Sequence, residues 1–410
     1  MKDRLDIDFV RRQFPQLADG WVYLDNAGGT LVPASVIQRM TAFLSESQVQ
    51  PNGAYGPSML ATERLAEAKS AMAALLNASV DEVILSHSTT MNVYVLANAF
   101  RSRLAADDEV IVTNLDHEAN NGAWRRLAES GVAVKEWAVN PETAELDIAD
   151  LERLLTERTR LVSVTHCSNI TGSINDIESI ARLVHDAGAL ICVDGVAYAP
   201  HRRVDVRALD ADIYLCSLYK IYGPHHALMY VRRELLQELK SQTHFFIGED
   251  RLPLKLNVGG YNYEMIGSLT GIADYFRTLH HHHWPGANAD FPDQLGAVYD
   301  LMARHEERIA APLVDALRAR PNIQIIGRMT ADRRKRVPTF SFVVEGVESA
   351  EVARRLNARH LGARNGHFYA YRIVDALGHL PRGGVVRTSL VHYNSADDVE
   401  RLIQALTDVT

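Results

Sequence analysis

The chain has 410 residues, 47% of them hydrophobic and 23% charged, with a formal net charge of -8. At roughly 150 residues per domain, this length predicts two or three domains around a sizeable core. The modest acidic balance argues against nucleic acid or an anionic membrane surface as partner, and no run of about 18 apolar residues reads as a membrane span.

The opening residues, Met1-Lys2-Asp3-Arg4-Leu5-Asp6, are charged and lack a signal-peptide core, so a cytoplasmic location is expected. From residue 80 to 235, short β-branched runs alternate with helical patterns: Glu82-Val83-Ile84-Leu85, Glu109-Val110-Ile111-Val112, Arg160 to Val164, Ala189 to Asp194 and Ile213 to Cys216. This alternation predicts repeated βαβ units and an α/β domain. Ile177 to Gly188 has apolar residues at helical spacing and ends in glycine, a usual helix stop. Cys167, Cys192 and Cys216 are too few and too scattered for a disulfide framework, and are expected as reduced thiols near strand ends. The run His280 to His283, followed by Trp284-Pro285-Gly286, is expected as a solvated loop. Adjacent histidines point in different directions, so no metal is assigned to it.

After about residue 290 the pattern changes. A long helix over Gln294 to Arg318, strands at Ile323 to Ile326 and Thr339 to Val344, a helix over Ala350 to Leu361, a strand at Val385 to Leu390 and a final helix opened by Ser395-Ala396-Asp397-Asp398 are expected. They read as a smaller α/β domain. The expected division is an N-terminal segment of the small domain over 1–20, a large domain over 21–288 and the small domain over 289–410.

Two charged residues stand at the ends of neighbouring strand runs: Asp194 closes Leu190-Ile191-Cys192-Val193, and Lys220 lies just beyond Cys216, before Gly223-Pro224. Ligands in open α/β sheets bind outside the carboxyl ends of the strands. An amine that condenses with an aldehyde and a carboxylate that keeps a ring nitrogen protonated are the two groups pyridoxal 5'-phosphate (PLP) chemistry requires.

Several motifs, in order along nearly the whole chain, extend that reading. They are Tyr23-Leu24-Asp25-Asn26-Ala27, Ser88-Thr89-Thr90, Asp116-His117-Glu118, Asn169 in Ser168-Asn169-Ile170-Thr171-Gly172, Asp194-Gly195-Val196-Ala197, Ser217-Leu218-Tyr219-Lys220 and Val386-Arg387-Thr388-Ser389. In this the chain resembles the cysteine desulfurase-like, class V aminotransferase branch of fold-type I PLP enzymes. The resemblance implies a large domain with a mostly parallel seven-stranded sheet, a small C-terminal α/β domain, and a homodimer with shared active sites. It also implies that Lys220 carries PLP covalently, Asp194 pairs with the pyridine nitrogen, His117 stacks on the ring and Asn169 bonds its phenolic oxygen. Ser88, Thr89, Thr90, Ser217 and Tyr219 would contact phosphate, and the helix start at Ser88 is electrostatically suited to that. Gly260 stands where a threonine of the neighbouring subunit often reaches the phosphate. Arg387 would grip the carboxylate of an α-amino acid, with Asn26 and Tyr369 also facing substrate.

One departure bears on the reaction. The family's sulfur-accepting cysteine sits in a loop Arg-x-Gly-His-x-Cys-Ala, and here the loop reads Arg364-Asn365-Gly366-His367-Phe368-Tyr369-Ala370. A phenol forms no persulfide, although carbon-sulfur cleavage by β-elimination needs no protein thiol. The expected activity is therefore a carbon-sulfur lyase without a protein persulfide. An isopenicillin N epimerase-like racemase and a class V aminotransferase are the alternatives. A non-catalytic scaffold is a minor one, since Lys220 and Asp194 are both present.

Overall fold

The computed structural model describes residues 4–409. After the two-residue strand β1 (Val22–Tyr23), the chain builds a large sheet from β2 (Val83–Ser86), β3 (Glu109–Thr113), β4 (Ala133–Trp137), β5 (Thr159–Thr165), β6 (Leu190–Asp194), β7 (Ile213–Ser217) and β8 (Ala227–Val231). Its seven strands lie in the order β2-β8-β7-β6-β5-β3-β4. Only β8 runs antiparallel to its neighbours, and the pairs of β3, β4, β5, β6 and β7 are parallel.

Both faces of this sheet are covered, which is why its strands read as continuous apolar runs. On β6, Ile191 and Val193 join a core layer with Tyr214, Cys216 and Tyr230. Cys192 joins the opposite layer with Val110, Val112, Ile213 and Leu215, as the two-residue period of a strand requires. Each such buried aliphatic side chain contributes about 1.5–3 kcal/mol relative to exposure. The helix Ile177–Asp186 begins where Asp176 accepts from Ser179 N at 3.2 Å. Such a cap stabilises a helix by about 1 kcal/mol.

The small sheet takes β9 (Ile323–Ile325) and β10 (Thr339–Val344); after β11 (Leu361–Gly362) it adds β12 (Arg364–Gly366) and β13 (Val385–Ser389). Its order is β12-β13-β10-β9, all antiparallel. Val22 and Tyr23 of β1 pair in parallel with Leu361 and Gly362, so the N-terminal chain still associates with this half beyond residue 20. The helix Phe291–Arg318 ties the two halves together. Leu295, Val298 and Met302 pack into the large core, whereas Ile309, Leu313 and Leu317 pack with Phe340, Phe342 and Val386. It starts ahead of the expected Gln294 because Asp290 caps it and Pro292 occupies its first turn.

The histidine run differs from expectation. His280 to His283 form the last turn of the helix Thr270–His283, not a solvated loop, and His280 and His283 are buried. They are held by specific partners: His280 stacks on Trp284, His282 stacks on Phe9 with ring centroids 3.7 Å apart, and His283 Nε2 accepts from Asp6 N at 3.0 Å. The run serves to dock the N-terminal helix Ile7–Arg11, a contact between residues far apart in sequence that no local pattern signals. Among the described residues no helix is long and apolar enough to cross a membrane.

Candidate active site

Parallel pairing brings the chemistry to one edge. Thr165 at the end of β5 is in register with Asp194 at the end of β6, and Asp194 with Leu215 of β7. The segments leaving these strands line one pocket, which contains Ser88, Thr89, Thr90, His117, Asn169, Asp194, Ser217, Tyr219 and Lys220. Cys167, Thr165, Val196 and Ala197 complete it. Gly195 is required directly after Asp194, because any Cβ there would overlap the Tyr214 ring.

Lys220 closes the short 3-10 turn Leu218–Lys220 after β7 and is 5% exposed. Burial, followed by the positive charge of Arg387, pushes its amine down to about 8, against the opposing pull of Asp194 and Asp25. Asp194 is 4% exposed, and burial pushes its carboxyl up to about 6. Its carboxylate accepts from Val196 N at 2.9 Å. Asp116 lies deeper, bonded to the Thr113 hydroxyl and, at 2.7 Å, to Asn120 Nδ2. Burial, with the Asp194 charge adding, raises Asp116 to about 8, so it is protonated at neutral pH. His117 is neutral: burial, then Lys220 and Arg387, push it down to about 3. Its Nδ1 accepts from Ala119 N at 3.0 Å.

Ser88 caps the helix Thr89–Phe100, accepting from Met91 N at 3.2 Å. Thr89 Oγ1 donates to Cys216 O at 3.2 Å, so in the 2.8 Å contact between the two hydroxyls Ser217 is the donor. Tyr219 stacks on His225, with centroids 4.8 Å apart.

These residues fit PLP. A buried carboxylate with a raised pKa calls for a cation, which a protonated ring nitrogen supplies at Asp194. A helix start and hydroxyls suit a phosphate, and Lys220 is the buried amine beside them.

The substrate side of the site differs in part from the sequence-based expectation. Arg387, 2% exposed, points Nη2 to Asp25 Oδ1 at 2.7 Å and Nη1 to Asn169 O at 3.2 Å. The Phe368 ring covers its face at 3.8 Å. Its Nε is a buried donor with no protein hydrogen-bond partner, and Arg387 stands behind Asn169 and Phe368 and is not among the residues that line the pocket. Asn169 Nδ2 donates to Phe368 O at 3.0 Å, so this residue also holds the loop above the pocket.

Asn26, expected to face substrate, has its amide engaged by protein groups. Its Nδ2 donates to Tyr23 O, Ser389 O and Asn394 Oδ1, and its Oδ1 accepts from the Tyr393 hydroxyl. With both atoms engaged and 3% exposure it stitches β1 to the strand that carries Arg387. Its neighbour Asp25 was the residue to single out, and the signal was available, since a buried arginine needs a counter-ion.

Tyr369 is 70% exposed at the mouth, with its ring centroid 5.5 Å from that of His117. Its carbonyl accepts from Glu118 N at 2.7 Å, which docks the loop beside His117. Gly260 is exposed with open space around it and does not line this pocket. All three cysteines are free and buried. Burial raises Cys167 to about 12 and holds Cys192 and Cys216 well above the ordinary thiol range.

Comparison with known proteins places this geometry. Residues 22–402 match the family model described as Aminotransferase class-V. The chain is 40% identical over 408 residues to the aminotransferase-like protein FGM3 of Gibberella zeae, covering 98% of this chain and 97% of that protein. It is 32% identical to the cysteine desulfurase-like protein ustD of Aspergillus flavus, covering 100% of this chain and 92% of ustD. The crystal structure of the cysteine desulfurase CsdA from Escherichia coli superposes with a TM-score of 0.82 at 26% identity, over 98% of both chains. With a buried lysine and aspartate at one sheet edge and a family match across both halves, the chain belongs to the class-V aminotransferase family of fold-type I, PLP-dependent enzymes.

Proposed function

We propose that the protein is a carbon-sulfur lyase that acts on a sulfur-bearing α-amino acid and releases sulfur without a protein persulfide. The observation that carries this reading is the loop over the pocket, where Tyr369 stands at the mouth and no loop thiol is present, while Cys167, the one cysteine in the pocket wall, is buried with its thiol pushed up to about 12.

When bound, PLP supplies an aldehyde that captures the substrate amino group and a ring that takes up the electrons left when the Cα–H bond breaks. The chain's residues do the rest. Arg387 would bind the substrate carboxylate, its guanidinium fixed by Asp25 and Asn169 O. Lys220 accepts the Cα proton; an amine pushed down to about 8 is partly neutral near physiological pH and so is available as a base. Asp194 would pair with the ring nitrogen and keep it protonated, and His117, neutral in the pocket wall, would lie against the ring. Loss of the β-sulfur then gives sulfide or a small thiol, and hydrolysis of the remainder gives a keto acid and ammonia. Epimerisation and transamination share the proton-removal step and differ only in where the proton returns.

We also read the protein as a cytoplasmic homodimer. Phe245 and Phe246, both exposed and in ring contact with centroids 5.5 Å apart, are the adjoining apolar pair that supports the dimer.

The test is a panel of α-amino acids incubated with the holoenzyme, with analysis for thiol, pyruvate, inverted amino acid and transaminated product. Thiol and keto acid in equal amounts from a cysteine-type substrate are expected. An inverted amino acid without thiol would replace the lyase with an epimerase.

A further inference from the structure

The turn that carries Lys220 is held from three sides. Tyr222, two residues on, takes φ +61°, a left-handed conformation that costs a bulky residue on the order of 1–2 kcal/mol. Specific bonds offset that cost. Tyr222 N donates to Thr30 Oγ1 at 3.0 Å, and Thr30 N donates to Tyr219 O at 3.0 Å, so the N-terminal segment clamps the backbone on both sides of the lysine.

The Tyr222 side chain is fully buried, and its hydroxyl donates to Pro200 O at 2.7 Å, in the segment that follows Asp194. That uses its single proton. His392 Nδ1, 3.0 Å from Tyr222 Oη, is therefore the donor in their contact. A neutral ring protonated at Nδ1 leaves Nε2 as acceptor, and the Tyr275 hydroxyl supplies that bond. Burial, with His305 and His201 adding, holds His392 well below its ordinary range, so it stays neutral and the direction of the chain is fixed. The groups facing His392 are aromatic: Phe14, Tyr222, Tyr275 and Tyr393. His392 itself follows β13, the strand that carries Arg387. One chain of hydrogen bonds thus joins the lysine turn, the segment after Asp194 and the segment after Arg387.

We propose that Tyr222 and His392 are positioning residues, which set where the Lys220 amine stands relative to Asp194 and Arg387. The proposal rests on Lys220 being the cofactor lysine. A misplacement of about 1 Å at a reacting group costs up to a hundredfold in rate, so a residue that fixes this turn acts on kcat without touching substrate.

The test uses holoenzyme of the wild type, Tyr222→Phe, His392→Leu and His392→Asn. The visible cofactor band is titrated with pH, kcat and KM are measured, and borohydride reduction with peptide mapping locates the cofactor. Tyr222→Phe and His392→Leu are expected to keep the cofactor on Lys220, shift the titration midpoint by about 0.5 pH unit or more, and lower kcat about tenfold with KM little changed. His392→Asn, whose amide restores a donor near Nδ1, is expected to recover most of the shift. Each variant is read by itself, so loss of folding in one leaves the others to decide. Wild-type titration and kcat in Tyr222→Phe and His392→Leu, with only a lower melting temperature, would overturn the proposal. Cofactor mapped to another lysine in the wild type would instead overturn the lysine assignment on which it rests.

Discussion

Asp25 and Arg387 form an ion pair of 2.7 Å although 362 positions separate them. Strand geometry makes the pair: Ser389 N donates to Leu24 O, and Asp25 bridges Ser389 in parallel, which lays the segment after β1 against the end of β13. Arg364 also reaches Asp25, at 3.4 Å, so one carboxylate balances two guanidinium groups. Arg387 is thereby held in place by the fold itself, with Nη1 and Nη2 engaged and Nε without a protein partner.

Removing Asp25 leaves Arg387 charged and buried without its counter-ion. Asp25→Ala is expected to lower apo stability by about 3–5 kcal/mol, and Asp25→Asn, which still accepts a hydrogen bond, by about 1–2 kcal/mol. Denaturant unfolding measures both. Equal stability of the two variants and the wild type would show that the pair does nothing for the fold.

Lys220→Ala is expected to abolish the visible absorption band of the holoenzyme and to reduce turnover at least about a thousandfold. Borohydride reduction of the wild type should place the cofactor mass on the peptide containing Lys220. A band that survives in the variant points to a different lysine.

Asp194, whose folded carboxyl is raised to about 6 from 3.8 by burial, makes its own contribution to the pH dependence of apo stability, which its removal isolates from those of Asp116, His117 and Lys220. Below about pH 3 the group is protonated in both states and costs nothing. As pH rises toward 6 only the unfolded chain loses the proton, so the folded state is progressively destabilised; above that the loss is constant. Asp194→Asn is therefore expected to match the wild-type apoprotein near pH 3 and to exceed it by about 1–3 kcal/mol at pH 7. With PLP bound the order should reverse at neutral pH, because the ring cation then pairs with the carboxylate. Thermal unfolding of both proteins across this range decides, and a difference independent of pH would remove the electrostatic account.

Tyr369 distinguishes this site from one that stores sulfur on a thiol. Mass spectrometry during turnover with cysteine is expected to find no adduct of about +32 Da on Cys167, Cys192 or Cys216, because burial keeps all three thiols protonated. A stable adduct that is needed for activity would reinstate a persulfide route. Tyr369→Phe addresses the phenol itself: a fall in kcat of about tenfold or more assigns it a proton, and near-normal rates leave it with packing alone.

Much of this protein was legible in the residues. Thr339 to Val344 is a strand over the expected span, and the runs ending at Asp194 and near Cys216 are neighbouring parallel strands, because β-branched apolar runs bounded by glycine-containing turns have few other ways to fold. Lys220 and Asp194 were legible for the same reason: a charge at the carboxyl end of a buried strand has to face the sheet's ligand edge. What local pattern does not carry is which distant residue completes a buried group's bonding. His280 to His283 read as solvated polar sequence, and only docking of Phe9 and Asp6 makes them a helix end with His280 and His283 buried. Asn26 read as a substrate contact, the fold brings Ser389 and Asn394 to its amide, and Asp25 acquired its role from Arg387 at the far end of the chain. The sequence by itself determined five of the seven strands of the large sheet and the kind of chemistry at its edge, but not the strands Ala133–Trp137 and Ala227–Val231, nor that the helix expected to Leu361 ends at Asn357 and gives way to a strand. The tertiary structure decided the counter-ions and clamps, since a buried charge or donor is satisfied by whatever the fold places beside it, at any separation along the chain.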